Sequence, residues 1–499
     1  MLFPVSLALL ASGSVSRTPA LTPVSQILET YADSLTTYQA TAKTKVGDLR
    51  PLATQRGVTL DGALRAAPML PMHLAGNPFE NVWNGREKQG DLRIDTGTYG
   101  PSEVDLALPA TGFSWVVGRT YNARQSSGGS QHDSDGPMGK NWALSSQPEI
   151  VLYDDATDTK DVLYLVYRAD AYVEFERAGT SSNQYKAKNG AAGCFDHDTG
   201  TDTWTYTDQS GYQFTFLGFN TTDGTNSHRW DGLLWKVSDQ ESTPNVAYVG
   251  DKNSASDAIY KNSAPNGWDG SGRILLAFDA SDRRYTYSYT SVDGTTRLTQ
   301  VKAETKTGGT WASSPIGVAP VALVDYAYYA TGDSDIANGS SGDLKRASIT
   351  QYLDDSGVTQ RKERYYRYWK STYNSSTNPG YPHALWYAFD FEGVRAADWA
   401  DGGGLNDSIA TAAENTLKPY AAAYFEYDST HRVRGAWFNG QCGCSGGGGN
   451  GTYSYSFDSN GSYSDNSGYD TIWATRTVVV QPDGSNLTQY FDEVGQGLS

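Results

Sequence analysis

Cysteine is nearly missing from this chain: Cys194, Cys442 and Cys444 are the only three in 499 residues. An odd number this small excludes a disulfide framework, so stability has to come from burial, which a chain of this length supplies. Charged residues make up 19% of the chain and apolar residues 38%, both below the usual globular share. The net charge is −17, and the acids are scattered rather than blocked. Such a field repels polyanions and argues against a nucleic-acid partner. No stretch approaches the ~20 consecutive apolar residues of a membrane-spanning helix. Phosphate-cradling and dinucleotide fingerprints are absent. The histidines (His73, His132, His197, His228, His383 and His431) fall at no metal-binding spacing.

What the chain has instead is glycine (53), tyrosine (34) and tryptophan (13). Tyrosine and tryptophan form good strands and tolerate half-wet surfaces, so the composition predicts an all-β protein. A phrase of alternating aromatics, a turn and a short strand recurs. It reads Tyr285-Thr-Tyr-Ser-Tyr289, then Asp293-Gly294, then Arg297-Leu298. It returns around Tyr326 and Tyr328, at Tyr366 and Tyr368, at Phe425 to Asp428 before Arg432-Val433, and at Tyr453 to Asp458 before Asn460-Gly461. A repeated phrase is a structural unit, and such units build walls and arrays. Alternation should place Tyr285, Tyr287 and Tyr289 on one face and Thr286 and Ser288 on the other.

The chain divides into four parts. Residues 1–21 read as a signal peptide: Met1 to Leu10 is apolar and Ala11 to Ser16 is small, although no Lys or Arg precedes the run. This predicts a secreted or cell-surface product. Residues 22–89 read as a helix over 22–45, capped by Thr22 with Pro23 in its first turn, followed by an irregular proline-bearing linker. From about Gly90 the pattern changes to short strands and turns, and the expected connections are antiparallel hairpins. Residues 90–240 and 241–499 are the two β regions. One helix is expected inside the second, with Asn406 or Asp407 as cap, Ile409 to Leu417 as body and Pro419 as stop. The chain ends in mid-phrase at Gln489 to Gln496 with no visible cap, which predicts a longer parent protein.

Two segments carry a family resemblance. Gly118-Arg-Thr-Tyr-Asn-Ala-Arg124 and Gly136-Pro-Met-Gly-Lys-Asn-Trp142 resemble the opening region of Rhs/YD-repeat proteins, with Met138 and Asn141 where Leu and Gly are commoner. Trp230-Asp-Gly-Leu-Leu-Trp-Lys-Val-Ser-Asp-Gln240 looks like the family's strand-turn unit, and the later tyrosine phrases look like degenerate YD repeats. The resemblance covers roughly residues 90–499. It implies a large, mostly antiparallel sheet that curves or spirals into a hollow shell. In bacterial polymorphic toxins and insecticidal toxin complexes such a shell encloses a C-terminal toxin; in teneurins a related one presents an adhesive surface. Neither role needs catalytic residues or a cofactor in the wall. The partners implied are a C-terminal cargo domain, or a cell-surface protein or glycan.

Candidate chemistry is sparse. Trp369, Trp386, Tyr387, Trp399 and Trp437 surround the expected helix. They could form an aromatic platform for a sugar or protein partner, or they could be core packing between sheet and helix. Cys442-Gly-Cys444 places two thiols close together, open to a soft metal or redox role, to a disulfide, or to service as plain loop thiols. No neighbouring His or Cys completes a four-ligand zinc site. Gly443-Cys-Ser445-Gly-Gly447 matches a nucleophile elbow in letters, but it sits in a glycine run and a strand follows it. Acid clusters at Asp133/Asp135, at Asp154, Asp155, Asp158 and Asp161, and at Asp196/Asp198 read as solvated turns or calcium ligands. The expectation is a non-enzymatic wall, with a carbohydrate-binding or adhesin module and a secreted β-rich glycoside hydrolase as alternatives.

Overall fold

The computed structural model describes residues 92–94, 97–110, 113–123, 135–144, 148–153, 161–168, 171–179, 182–187, 193–207, 212–219, 231–239, 241, 244–250, 267–308, 311, 318–352, 359–400, 409, 412–438, 451–461 and 473–491. The expected signal peptide, N-terminal helix and linker lie outside the described residues.

Short strands come first: β1 (Leu92–Arg93), β2 (Thr98–Tyr99), β3 (Ser102–Ala107), β4 (Val116–Tyr121), β5 (Asp135–Gly136), β6 (Gly139–Lys140) and β7 (Trp142–Leu144). They pair as three small antiparallel sheets, β1–β2, β3–β4–β7 and β5–β6. The following strands are β8 (Glu149–Tyr153), β9 (Val162–Arg168), β10 (Ala171–Arg177), β11 (Gln184–Ala187), β12 (Cys194–Asp198), β13 (Thr203–Thr207) and β14 (Gln213–Leu217). They continue as β15 (Leu234–Ser238), β16 (Val246–Val249), β17 (Leu276–Phe278), β18 (Arg284–Val292), β19 (Thr295–Lys306), β20 (Val318–Tyr328) and β21 (Leu344–Tyr352). The last are β22 (Thr359–Tyr368), β23 (Leu385–Phe389), β24 (Ala423–Tyr427), β25 (Val433–Phe438), β26 (Gly451–Ser459), β27 (Thr475–Val480) and β28 (Asn486–Phe491). These 21 strands form one antiparallel sheet, as the composition predicts.

Each strand from β8 onward pairs with the next in sequence, so hairpins make the whole wall. The sheet also curls back on itself. Glu149 in β8 bridges antiparallel to Leu233, just before β15. Ile150 N–H donates to Gly232 O at 2.7 Å and Leu234 N–H to Pro148 O at 3.1 Å. The ring β8–β15 is thereby closed, and the sheet runs on past the closure through β16. Closure removes exposed strand edges.

The tyrosine phrase behaves as its alternation requires. Tyr285 and Tyr287 are buried, and Tyr289 packs against the same main core beyond a bulge at Ser288/Tyr289. In β26, Tyr453 and Tyr455 are buried while Thr452, Ser454 and Ser456 are exposed. The main core is shared between this inner face and β1–β7, which supply Leu92, Ile94, Tyr99, Leu106, Trp115, Val117, Tyr121 and Trp142 to it. The early strands thus form a plug against the inner face of the wall.

Three hairpin ends share one turn. Asp269-Gly-Ser-Gly-Arg273, Asp279-Ala-Ser-Asp-Arg283 and Asp428-Ser-Thr-His-Arg432 all follow Asp-x-Ser/Thr-x-Arg. In each, one carboxylate oxygen accepts the backbone N–H groups two and four residues on, at 2.8–3.0 Å. The other oxygen accepts the arginine Nε–H at 2.6–2.9 Å. The residue before each arginine is left-handed: Gly272 (φ 74°), Asp282 (φ 62°) and His431 (φ 65°). This is an Asx-type turn tightened by a charge-assisted bond.

A helix the sequence did not suggest, α1 (Phe391–Ala400), precedes the expected one. Among the described residues of the body expected over Ile409 to Leu417, Glu414–Leu417 forms a short helix, α2. Ile409 is itself helical, but Ala413 is extended (ψ 150°) and interrupts the run. Asp390 caps α1 through Gly393 N–H at 2.7 Å, and Val394 and Ala397 bury at helical spacing. Gly393 masks the helix in the sequence, yet glycine is needed there: a Cβ would lie 2.1 Å from Tyr420 O.

Candidate functional site

The most strongly buried polar cluster joins plug to wall. Asp105 (β3) and Arg119 (β4) pair at 2.8 and 3.1 Å, with both side chains fully buried. Arg119 donates to Tyr366 OH at 2.9 Å, and Tyr326 OH donates to Asp105 at 2.8 Å. Arg364 approaches Asp105 at 3.4 Å and pairs with Glu103 at 2.7 Å. The Arg119 guanidinium also lies over the rings of Trp142 and Tyr366. Burial works against the charge on Arg119, but the Asp105 carboxylate beside it raises its pKa well above the ordinary value.

The other bonds follow the same scheme. Trp115 Nε1–H donates to Tyr287 OH at 2.8 Å, and Trp142 Nε1–H to Tyr368 OH at 2.9 Å. Tyr121 OH donates to His383 O at 2.8 Å, and Leu298 N–H to Pro137 O at 2.7 Å. Arg297 Nη1–H donates to Gly136 O at 2.7 Å, and Tyr381 OH donates to Ala123 O. Both segments that carry the family resemblance therefore face the repeat tyrosines. Burial, first of all, pushes the phenols of Tyr326, Tyr328, Tyr366 and Tyr368 up, so they remain neutral hydrogen-bonding groups. Asp343 is buried beside His383 at 2.7 Å, and burial raises its carboxyl.

Of the expected aromatics, Trp386, Tyr387 and Trp437 fall on the outer side, while Trp369 packs against the main core. A bulge between Arg367 and Tyr368 leaves Trp386 as the extra residue of β23. Leu385 faces the main core, whereas Tyr387 and Phe389 face a second core under α1. Trp437 joins this second core, and Trp386 and Tyr424 pack against it. Trp369 packs at a tilt against Trp386, 4.8 Å between ring centroids, and donates to Phe425 O at 3.0 Å. Tyr387 donates to Glu414 at 2.8 Å; burial and then this bond raise its phenol. Trp399 lies on α1, and its side chain is outside what is described. The structure thus brings Trp369, Trp386, Tyr387 and Trp437 into one chain of ring contacts, with Tyr424 completing it.

Next to Tyr424 a cleft of about 340 Å³ opens on the outer face of β24–β26. Tyr424, Glu426, Arg434, Gly435, Ala436, Thr452, Ser454 and Tyr455 line it. Register sets this grouping: Glu426 lies opposite Gly435, and Gly435 opposite Ser454. Arg434 is the extra residue of a bulge between Glu426 and Tyr427, which turns it toward Glu426 at 3.2 Å. Tyr424 OH donates to the other oxygen of Glu426 at 2.9 Å. Sequence reasoning missed this cleft, because it depends on cross-strand register and a bulge.

Cys442, Cys444 and the Gly443–Gly447 run lie outside the described residues, as do Asp133, Asp154, Asp155 and Asp158. Asp161 pairs with Arg177 at 3.0 Å, and Asp198 binds its own turn through Gly200 and Thr201. Cys194 is half-buried, and burial together with Asp196 raises its thiol pKa. Among the described residues no group of three or more His, Cys, Asp or Glu side chains converges.

No protein-family model and no curated protein matches the chain. Among solved structures it is similar to the Tc holotoxin pore of Photorhabdus luminescens, at 12% identity and TM-score 0.27, over 55% of this chain and 16% of that one. It is similar to the N-terminal domain of the effector protein SpvB from Salmonella typhimurium strain LT2, at 11% identity and TM-score 0.22, over 53% and 94%. A porin-like protein from Bacteroides uniformis aligns at 11% identity and TM-score 0.16, over 69% and 94%. The chain thus spans 16% of the length of the Tc chain it matches. TM-scores this low carry no argument about family or function.

Proposed function

We propose that this chain is a non-enzymatic β wall of the Rhs/YD-repeat kind, exported, and built to enclose a C-terminal cargo domain or to present a surface to a cell-surface protein or glycan. One observation carries this reading. The repeat tyrosines turn inward: Tyr287, Tyr326, Tyr366 and Tyr368 spend their hydroxyls on the plug, while Tyr285 and Tyr289 bond within the wall. They hold a wall together and are not available as a binding ladder. Among the described residues no helix is long and apolar enough to cross a membrane.

Limited proteolysis of the full-length gene product tests the reading. Enclosure predicts a protected fragment from sequence outside Leu92–Phe491, digested only after denaturant opens the wall. Digestion of all such sequence at the rate of the denatured control would sink enclosure. Turnover of a glycoside or ester by the purified protein, lost on replacing one carboxylate, would sink the non-enzymatic half.

A further inference from the structure

We propose that the outer cleft of β24–β26 is a binding site for a neutral saccharide. The inference rests on the surface-presenting half of the proposed function and is independent of the enclosure half, which the proteolysis experiment tests separately. Three features carry it. First, the floor is a glycine in ordinary extended backbone. A Cβ on Gly435 would meet Glu426 no closer than 3.6 Å, so the notch exists for want of a side chain that the backbone would accept.

Second, the charges in the cleft are internally balanced. Glu426 and Arg434 pair at 3.2 Å, and each remains about one-third exposed. Arg434 also donates to Ser375 O at 3.1 Å, and the pair itself adds no net charge to the cleft lining. The exposed Thr452 and Ser454 hydroxyls add groups that both donate and accept. A ligand with adjacent hydroxyls matches this set, because each hydroxyl also donates and accepts.

Third, the cleft has an aromatic wall whose orientation is fixed. Tyr424 is held between Tyr387 (5.0 Å between ring centroids) and Trp437 (5.9 Å), the Lys418 ammonium lies over its ring at 5.3 Å, and its hydroxyl is tied to Glu426. A rigid aromatic beside a balanced polar set fits a sugar ring, which has one apolar C–H face and a polar rim. The volume, about 340 Å³, lies at the small end of ligand pockets and suits a short saccharide.

Titration calorimetry with cellotriose, maltotriose and N-acetylchitotriose tests this, with sialyllactose and trilysine as charged probes. At least one neutral trisaccharide should bind with a dissociation constant below about 10 mM. Glu426→Gln should weaken it about tenfold, the scale of one hydrogen bond to a charged group. Gly435→Val should abolish binding by filling the floor. Ser454→Leu blocks the opposite side at an exposed position, so the test survives if the floor variant misfolds. Binding of none of the neutral sugars, binding of charged probes only, or neutral binding that both blocking variants leave unchanged would overturn the inference.

Discussion

Asp105→Ala should be among the most damaging single substitutions in the plug. Asp105 receives two bonds from Arg119 and one from Tyr326, and all three side chains are buried. Removing the carboxylate leaves a fully buried guanidinium without its counter-charge. Breaking one side of a buried pair costs about 3–5 kcal/mol, mostly through the charge left behind. Unfolding entropy is about 2.1 cal/mol/K per residue, so a cooperative unit of roughly 400 residues gains about 0.8 kcal/mol/K. The predicted loss in Tm is therefore about 4–6 °C. Differential scanning calorimetry reads it directly.

The companion variants make the reasoning refutable. If the orphaned charge is the cause, adding Arg119→Met to Asp105→Ala should recover part of the loss, because an apolar side chain is at home in that pocket. Asp105→Asn keeps the shape and one acceptor, and it should fall between wild type and Asp105→Ala. A shift below about 1 °C for Asp105→Ala, or a double variant no better than the single, would show that the plug is not held by this pair.

The shared turn predicts a ranking. Asp279→Ala should cost about 3 kcal/mol and Asp269→Ala about half that, since Asp279 is fully buried and also accepts Tyr285 OH, while Asp269 is partly exposed; urea midpoints in the reverse order would refute it. The third turn predicts a pH dependence. Burial opposes it, but the Arg432 N–H, the Thr430 hydroxyl and the Arg432 guanidinium hold the Asp428 carboxyl below its usual value. That contribution is present above the unfolded pKa of about 3.9 and is lost as pH falls through the folded value. His431 is lowered by burial against the pull of Asp428, so its contribution is complete above about pH 6.5 and declines as acid charges the ring. Thermal melts from pH 7 to pH 3 should thus show stability falling with acid, less steeply below pH 4 in Asp428→Asn and less steeply just below pH 6.5 in His431→Gln; slopes identical to wild type would remove the turn as the cause.

The wall was legible in the sequence because alternation is local. Tyr285, Tyr287 and Tyr289, or Thr452 to Ser456, reveal their faces within a few residues. The plug was not legible in the same way. Arg119 meets Tyr366 across 247 positions and Asp105 meets Tyr326 across 221, and no window of sequence contains either contact. The opening motifs marked where the plug lies without showing what it touches. The turn motif was on the page as Asp-x-Ser/Thr-x-Arg, but its left-handed position holds glycine only at Gly272; Asp282 and His431 disguise the other two. Gly393 disguised α1 in the opposite way, by placing a poor helix former where Tyr420 O leaves no room for a Cβ.

A sheet this long has to solve two problems, and its two faces solve them differently. A slip of one residue in any hairpin would move the inner tyrosines to the outside. The Asp–Arg turns oppose such a slip by fixing the loop length at Asp269, Asp279 and Asp428. Inward tyrosines then need partners for their hydroxyls, because an unmet buried hydroxyl costs about 1–3 kcal/mol. Trp115, Arg119 and Trp142 supply donors to three of them, and Asp105 supplies an acceptor to a fourth. The plug is therefore a requirement of the tyrosine phrase: a wall written in Tyr-x-Tyr is stable only with something polar and shaped to fit behind it. On the outer side the demand is confined to the core under α1, where Tyr387 donates to Glu414. Beside it a bulge at Arg434 and a bare Gly435, where a Cβ would meet nothing closer than 3.6 Å, leave a gap in the surface. The tyrosine ladder, packed against the plug, has no such gap, which is why the search for a ligand belongs at β24–β26.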